Sequence, residues 1–203
     1  MNRTLGFYDS HAREATASYE RVDFSALVDR FAATLGPAGR VLDLGCGSGR
    51  DAARLLAGGY DVVAADGSEA MLAQATALHP ELAGRTARVI LPGALPFDRD
   101  AFDGVMSWAV IMHVPEAGLA DVFGELARVV RTGGVLGYSV NTERAGLDAN
   151  GTDARGRYFT CLTAGVWERL HEEAGFSTID LEETDDIVGR PGIRWATFFA
   201  RRG

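Results

Sequence analysis

The stretch VLDLGCGSG at Val41–Gly49 constrains this chain more than any other feature. An apolar run of strand length passes directly into glycines at 45, 47 and 49, and the helix formers of 50–57 then run to the Gly58-Gly59 stop. Strand, tight turn and helix in that order predict an open α/β sheet with the turn at a strand's carboxyl end. Glycines there allow positive φ and let a ligand approach the backbone, while the following helix presents free N–H groups. Residues 61–65 repeat the pattern, followed by a helix beginning near Ser68 with Glu69 in its positive first turn. Asp66 ends that second strand, about twenty positions past the first glycine, where a carboxylate can accept both hydroxyls of a ribose. The turn therefore predicts a nucleoside ligand.

The alternation continues on both sides of the motif. Helical spacing covers 9–20 and 25–35, with Asp23 or Ser25 as N-cap and Gly36-Pro37 as stop. Residues 88–91 read as a third strand, 102–107 as a fourth, 115–130 as a helix and 135–140 as a fifth strand. Parallel neighbours need crossover helices, so this order predicts a doubly wound, Rossmann-like, three-layer αβα sheet. A polar, glycine-rich stretch at 141–157 precedes a helix at 163–174 and two strand-like runs, 176–182 and 194–200. With no helix between them, the last two should pair antiparallel across a turn at 185–192.

Two departures from the dinucleotide fingerprint narrow the nucleoside. Its sixth loop position, normally glycine, is Arg50, and Asp43 stands two residues before Gly45. A carboxylate there suits a positively charged group better than a pyrophosphate. S-adenosylmethionine, with an ammonium, a sulfonium and no phosphate, fits.

Composition removes other chemistries. All 20 basic residues are arginines, which excludes a Walker-type phosphate loop, pyridoxal phosphate held as a Schiff base and any lysine nucleophile. The net charge of −8 disfavours nucleic acid and anionic membranes as partners. Cys46 and Cys161 are too few for a disulfide framework, and the four scattered histidines have no metal-binding spacing, so no metal is expected. The start of the chain lacks the pattern of an export signal and no apolar run approaches a membrane span, which predicts a cytoplasmic protein. A monomer or homodimer is expected.

With these motifs in place the chain resembles the class I S-adenosylmethionine-dependent methyltransferases. VLDLGCGSG is similar to the family's glycine motif, VVAADGS to its acidic second strand, LPFDRDAFDGVMS to its fourth-strand approach and LARVVRTGGVLGYSV to its fifth. The segments FYDSHA, RVDFS, GSGRDA, RYFT and RWATFFARR look like small bacterial methyltransferases of the tellurite-resistance type. The resemblance implies a seven-stranded sheet with an antiparallel last strand. It also implies a single methyltransferase domain over 1–203, with a helical lid in 1–37, a cofactor core in 38–140 and an acceptor-side segment in 141–203. By position, Asp43, Gly45, Cys46, Gly47, Gly49 and Arg50 would surround the methionine end of the cofactor, Asp66 its ribose, and Gly67 and Met71 its adenine edge. Ser107 and Trp108 would form the floor under the sulfonium. Gly93, Ala94 and Leu95 stand where many members place an acidic residue for the adenine amino group, leaving adenine to backbone and packing.

The expected reaction is methyl transfer to oxygen or nitrogen of a small-molecule acceptor by in-line displacement, in which alignment counts for most. His113, just past the fourth strand, is either a general base or a packing and capping residue. For the acceptor, Tyr8 and Tyr19, with Phe7, suggest a lid. Arg157, Tyr158, Arg194 and Trp195 combine guanidinium forks with flat rings, suited to a carboxylated or aromatic molecule. Two other readings stay open: a non-catalytic domain that senses S-adenosylmethionine, and a nicotinamide-dependent oxidoreductase, against which Arg50 and Asp43 argue.

Overall fold

Residues 3–203 are described by a computed structural model. Seven strands form one sheet in the order β3-β2-β1-β4-β5-β7-β6. They are β1 (Arg40–Leu44), β2 (Asp61–Asp66), β3 (Thr86–Arg88), β4 (Phe102–Trp108), β5 (Val130–Arg144), β6 (Phe176–Asp185) and β7 (Ile193–Arg202). Only β7 runs antiparallel to its neighbours β5 and β6. The six α-helices are α1 (Arg3–Tyr19), α2 (Ser25–Leu35), α3 (Arg50–Ala57), α4 (Glu69–Leu78), α5 (Leu119–Val129) and α6 (Ala164–Glu173). The doubly wound sheet and its antiparallel hairpin are thus as the sequence predicts.

Two apolar clusters, one on each face of the sheet, explain why the layers hold. Val28 and Phe31 of α2, Ala52 and Leu55 of α3 and half-buried Leu72 of α4 pack with Val41, Val62 and Met106. Phe123 of α5 and Trp167 of α6 pack with Tyr138, Phe198 and Val105. The central strand β1 is buried at every position after Arg40, as a parallel strand covered on both faces must be, and Asp43 is the one charged residue in that run. The outer strand β6 exposes Ile179 and Leu181 but intersperses them with Asp180, Glu182, Glu183 and Asp185, charges that discourage pairing with another chain at a sheet edge.

Several boundaries differ from expectation for local reasons. The third strand is Thr86–Arg88, because β2 turns away after Asp66 and leaves 89–91 no strand to pair with. The run at 115–130 opens with a 3₁₀ turn, Glu116–Gly118, before α5 begins. Helix α1 starts at Arg3, with a non-helical residue at His11 (φ −122°, ψ 21°). The fifth strand is much longer than 135–140: its C-terminal end overshoots β4 and pairs only with β7, Asn141 opposite Trp195 and Arg144 opposite Ile193. That overhang builds half of the site. Among the described residues no helix is long and apolar enough to cross a membrane, and no group of three or more His, Cys, Asp or Glu side chains could hold a metal ion.

Candidate active site

A cavity of about 690 Å³ opens at the carboxyl ends of β1, β2 and β4, where the strand order reverses. The glycine turn forms its base. Gly45 has φ 81°, and a Cβ there would sit 2.1 Å from Val110, so the turn is pressed against the chain leaving β4. At Gly49 (φ 82°) a Cβ would meet Ala75 of α4 at 3.0 Å and Leu82, in the 3₁₀ turn after it, at 2.7 Å, so the N-terminus of α3 docks tightly there. Backbone amides of Gly45 and Cys46 both donate to the Ala65 carbonyl, at 2.7 and 2.9 Å, fixing the turn to the end of β2.

Carboxylates crowd this end. Asp66 accepts the Gly47 amide at 3.1 Å and the Ser68 amide at 2.9 Å, yet burial still holds its carboxyl above the ordinary range. Asp43, only 3% exposed, has one oxygen, Oδ2, with no hydrogen-bond partner among the described residues. Burial first, then the charges of Asp51 and Asp66, drive its carboxyl well above the usual value, with Arg50 opposing. A buried carboxylate oxygen left unsatisfied costs stability unless a cation or donor meets it. The Cys46 thiol is likewise pushed up by burial, so it stays protonated and packs as a small apolar residue.

The opposite end is aromatic and basic. Ala109, at φ 60°, turns the chain off β4 with its amide bonded to Ser139, and a 3₁₀ turn at Ile111–His113 then brings His113 back to the cavity wall. A left-handed non-glycine residue costs on the order of 1 kcal/mol, and here it sets the path of the chain to His113. The His113 Nδ1–H donates to the Tyr158 carbonyl at 2.6 Å, which leaves Nε2 unprotonated and facing the Tyr8 hydroxyl at 3.5 Å. Burial lowers the His113 pKa to about 4. Arg144 lies above the Phe159 ring, Cζ to centroid 3.8 Å, and Arg157 is bound twice to Asp153 at 3.0 and 2.6 Å. The β6–β7 turn closes the wall: Asp186 holds Arg190 through two bonds of 3.0 and 2.6 Å and accepts the Trp195 indole N–H at 2.9 Å.

Most residues singled out from sequence line this cavity. Asp43, Gly45, Cys46, Gly47, Asp66, Gly67, Met71 and Trp108 gather at one end, Tyr8, His113, Arg157 and Trp195 toward the other, and the Tyr19 ring lies over Gly47. Others do not. Gly93 and Ala94 are exposed and Leu95 is turned away, its amide bonded to Glu125 and its carbonyl to Arg128; Val89, Ile90 and Leu91 line the cavity instead, because β3 ends early. Ser107 is fully buried and donates to the Leu44 carbonyl, tying β4 to β1 rather than forming a floor. Gly49 serves helix packing. Arg50 reaches the wall, but its guanidinium is spent on the carbonyls of Tyr19 and Val22 and on Asp51, clamping the end of α1. Tyr158 contributes its carbonyl to His113 while its side chain packs on Gly151, outside the cavity. Arg194 stands outside on β7, half-exposed beside Glu143 and Asp185.

The residues missed from sequence are Val89–Leu91, Arg144 and the Asp186–Arg190 turn. For the turn, the Asp-x-x-x-Arg spacing across a hairpin was a usable signal.

Residues 41–134 match the family model described as a methyltransferase domain. Over 111 residues the chain is 40% identical to the malonyl-[acyl-carrier protein] O-methyltransferase of Erwinia pyrifoliae, a match over 53% of this chain and 39% of that enzyme. The chain thus spans under half the length of that relative. Among solved structures, the 1,6-didemethyltoxoflavin N1-methyltransferase of Burkholderia thailandensis, with S-adenosylhomocysteine bound, superimposes with a TM-score of 0.78 at 21% identity, covering 98% of this chain and 87% of that one. A TehB-like methyltransferase from Corynebacterium glutamicum gives a TM-score of 0.68 at 19% identity, with 98% of each chain covered. At such identities the likeness is one of fold, and it does not single out the tellurite-resistance group.

Proposed function

We propose that this chain, whose residues 41–134 match a methyltransferase-domain model and whose fold is that of a methyltransferase holding S-adenosylhomocysteine, is a class I S-adenosylmethionine-dependent methyltransferase that transfers a methyl group to an oxygen or nitrogen atom of a small-molecule acceptor, with His113 as general base. The observation that carries the reading is a single cavity joining an unsatisfied buried carboxylate, Asp43, to a neutral imidazole, His113.

The residues present fit S-adenosylmethionine. Asp43 would meet its ammonium, the backbone of Gly45–Gly47 its methionine chain, Asp66 its ribose, and Gly67, Met71 and Val89–Leu91 its adenine, with Trp108 alongside. When bound, the cofactor supplies a methyl group on a positively charged sulfur. A dinucleotide fits poorly, since its pyrophosphate would face Asp43, Asp51 and Asp66 in a setting of reduced dielectric.

The chain itself aligns the acceptor, excludes water and moves a proton. Helix α1 covers the cavity and is held there by Arg50 at its C-terminal end and by the Ser68 hydroxyl, which donates to Asp9 at 2.6 Å. His113 is in its base form at neutral pH, and its unprotonated Nε2, held by the Tyr8 hydroxyl only through a long 3.5 Å contact, would accept the proton that the acceptor's O–H or N–H loses. For an oxygen acceptor a base of such low pKa suffices, because a hydroxyl gaining a third substituent becomes a strongly acidic oxonium as the new bond forms.

Transfer of label from methyl-labelled S-adenosylmethionine into low-molecular-mass metabolite fractions tests the reading. With the acceptor so found, His113→Gln should lower kcat about 10²- to 10⁴-fold with little change in cofactor affinity. The wild-type rate should rise with pH through about 4 and then level, and the variant should lose that limb. Full turnover by His113→Gln contradicts the base; cofactor bound but never consumed favours a sensor.

A further inference from the structure

Three guanidiniums face the acceptor end of the cavity, from Arg144, Arg157 and Arg190, and two carboxylates answer them. Asp153 is already filled. Its Oδ1 accepts the backbone amides of Arg155 and Arg157, each at 3.0 Å, and its Oδ2 takes two bonds from the Arg157 fork. Asp186 is filled too, by the Arg190 fork, the Trp195 indole and the amides of Val188 and Arg190. Arg144 is left without a carboxylate of its own. Among the described residues its guanidinium has one ion-pair contact, Asp153 Oδ2 at 3.7 Å, and one hydrogen bond, to Asn141 Oδ1 at 3.3 Å, and its Nε has no acceptor. Yet the side chain is only 8% exposed. A buried guanidinium normally has a carboxylate or phosphate matched to its planar fork.

We propose that Arg144 anchors an anion in the acceptor pocket, and that the methyl acceptor is a small molecule bearing a carboxylate. This deepens the methyltransferase reading and rests on it. A carboxylate matches the fork with two parallel bonds and supplies the charge that Asp153 and Asp186 do not spare. Burial, together with the positive charges of Arg157 and Arg190, lowers the Arg144 pKa, an adverse field that an arriving anion reverses. The Phe159 ring sets the scale of the ligand: it lies 3.8 Å from the Arg144 Cζ and 4.6 Å from the His113 ring, measured to its centroid. Anchor and base therefore lie within about 8.5 Å of each other, which suits a compact acid whose accepting O–H or N–H is close to its carboxylate.

The test is calorimetric titration of the whole chain, with and without S-adenosylhomocysteine, using benzoate, salicylate, succinate, inorganic phosphate and the neutral match benzamide. At least one carboxylate should bind tenfold or more tightly than benzamide. Arg144→Met should erase that preference while S-adenosylhomocysteine affinity stays within twofold, and Arg144→Lys, which keeps the charge and loses the fork, should fall between. No preference for any carboxylate in the wild-type chain overturns the proposal, a comparison that needs no variant to fold; so does a preference that survives in Arg144→Met. Phosphate binding more tightly than every carboxylate assigns the anchor to a phosphoryl group and defeats the carboxylate. Failure of S-adenosylhomocysteine to bind refutes methyl transfer separately, because the acid preference is read in its absence too.

Discussion

At the end of the cavity under β1 and β2, Asp43, Asp51 and Asp66 crowd around a single guanidinium, Arg50, which faces away into the end of α1. Under the β5–β7 overhang the balance is reversed, with Arg144, Arg157 and Arg190 sharing Asp153 and Asp186. One cavity is thus negative where a cationic donor would lie and positive where the acceptor would lie. Such a polarity orients both reactants before any contact at the reacting atoms. It also keeps each out of the other's place, since a like charge in a site of low dielectric is strongly penalised. The two ends titrate in opposite senses as well. Asp43 and Asp66 have carboxyls raised by burial, so what they contribute to stability is present in acid and fades as pH rises through their folded-state pKa values. His113 is lowered, so its contribution is present above about 6.5 and is lost as pH falls toward 4.

The largest expected effect breaks one end and spares the other. Asp43→Asn should weaken S-adenosylhomocysteine binding on the order of a hundredfold, as loss of a buried charge partner does. The same variant should raise the melting temperature of the ligand-free chain, because a neutral amide costs less to bury than a carboxylate with a bare oxygen. Equal affinity in the variant, or a lower melting temperature, contradicts the account of that end.

A smaller effect sharpens the difference in titration. In urea unfolding between pH 6.5 and 4, His113 should contribute a fall in stability with acid of up to about 3 kcal/mol, against the opposite slope of Asp43 and Asp66. His171, also lowered to about 4 in the core beside Tyr138, adds a similar slope. His113→Gln should remove its share of the slope and leave that of His171; an unchanged slope would mean that His113 is not held neutral.

The same two ends differ in how far they could be read from the chain. The donor end is local: Val41–Gly49 and Asp61–Ser68 are continuous segments in which strand, turn and helix follow from glycine placement and apolar runs, and Asp43 and Asp66 are fixed by strand phase. Gly93–Leu95 failed because the third strand was extended past the point where β2 stops pairing, and Gly49, Arg50 and Ser107 lie at this end but are spent on packing and backbone bonds. The acceptor end is assembled from α1, the 3₁₀ turn at 111–113, the 150s loop and the β6–β7 turn, pieces from both ends of the chain, and the Tyr158 amide bound to the Thr4 hydroxyl joins two of them across 154 positions. Arginine and aromatic types near it were noticed, but which ones face inward depends on register. Arg194 and Trp195 are adjacent on β7 and so point to opposite sides, and only Trp195 reaches the cavity. Arg144 was hidden because the apolar signal of β5 ends at Val140, while hydrogen bonding to β7 carries the strand four residues further.

The charge pattern at the tips of β1 and β2 is the claim on which the rest stands, and parallel calorimetric titrations of the wild-type chain with S-adenosylmethionine and with NAD test it most directly. Micromolar binding of S-adenosylmethionine and no heat with NAD is the predicted result. Saturable binding of NAD, with S-adenosylmethionine silent, would contradict it.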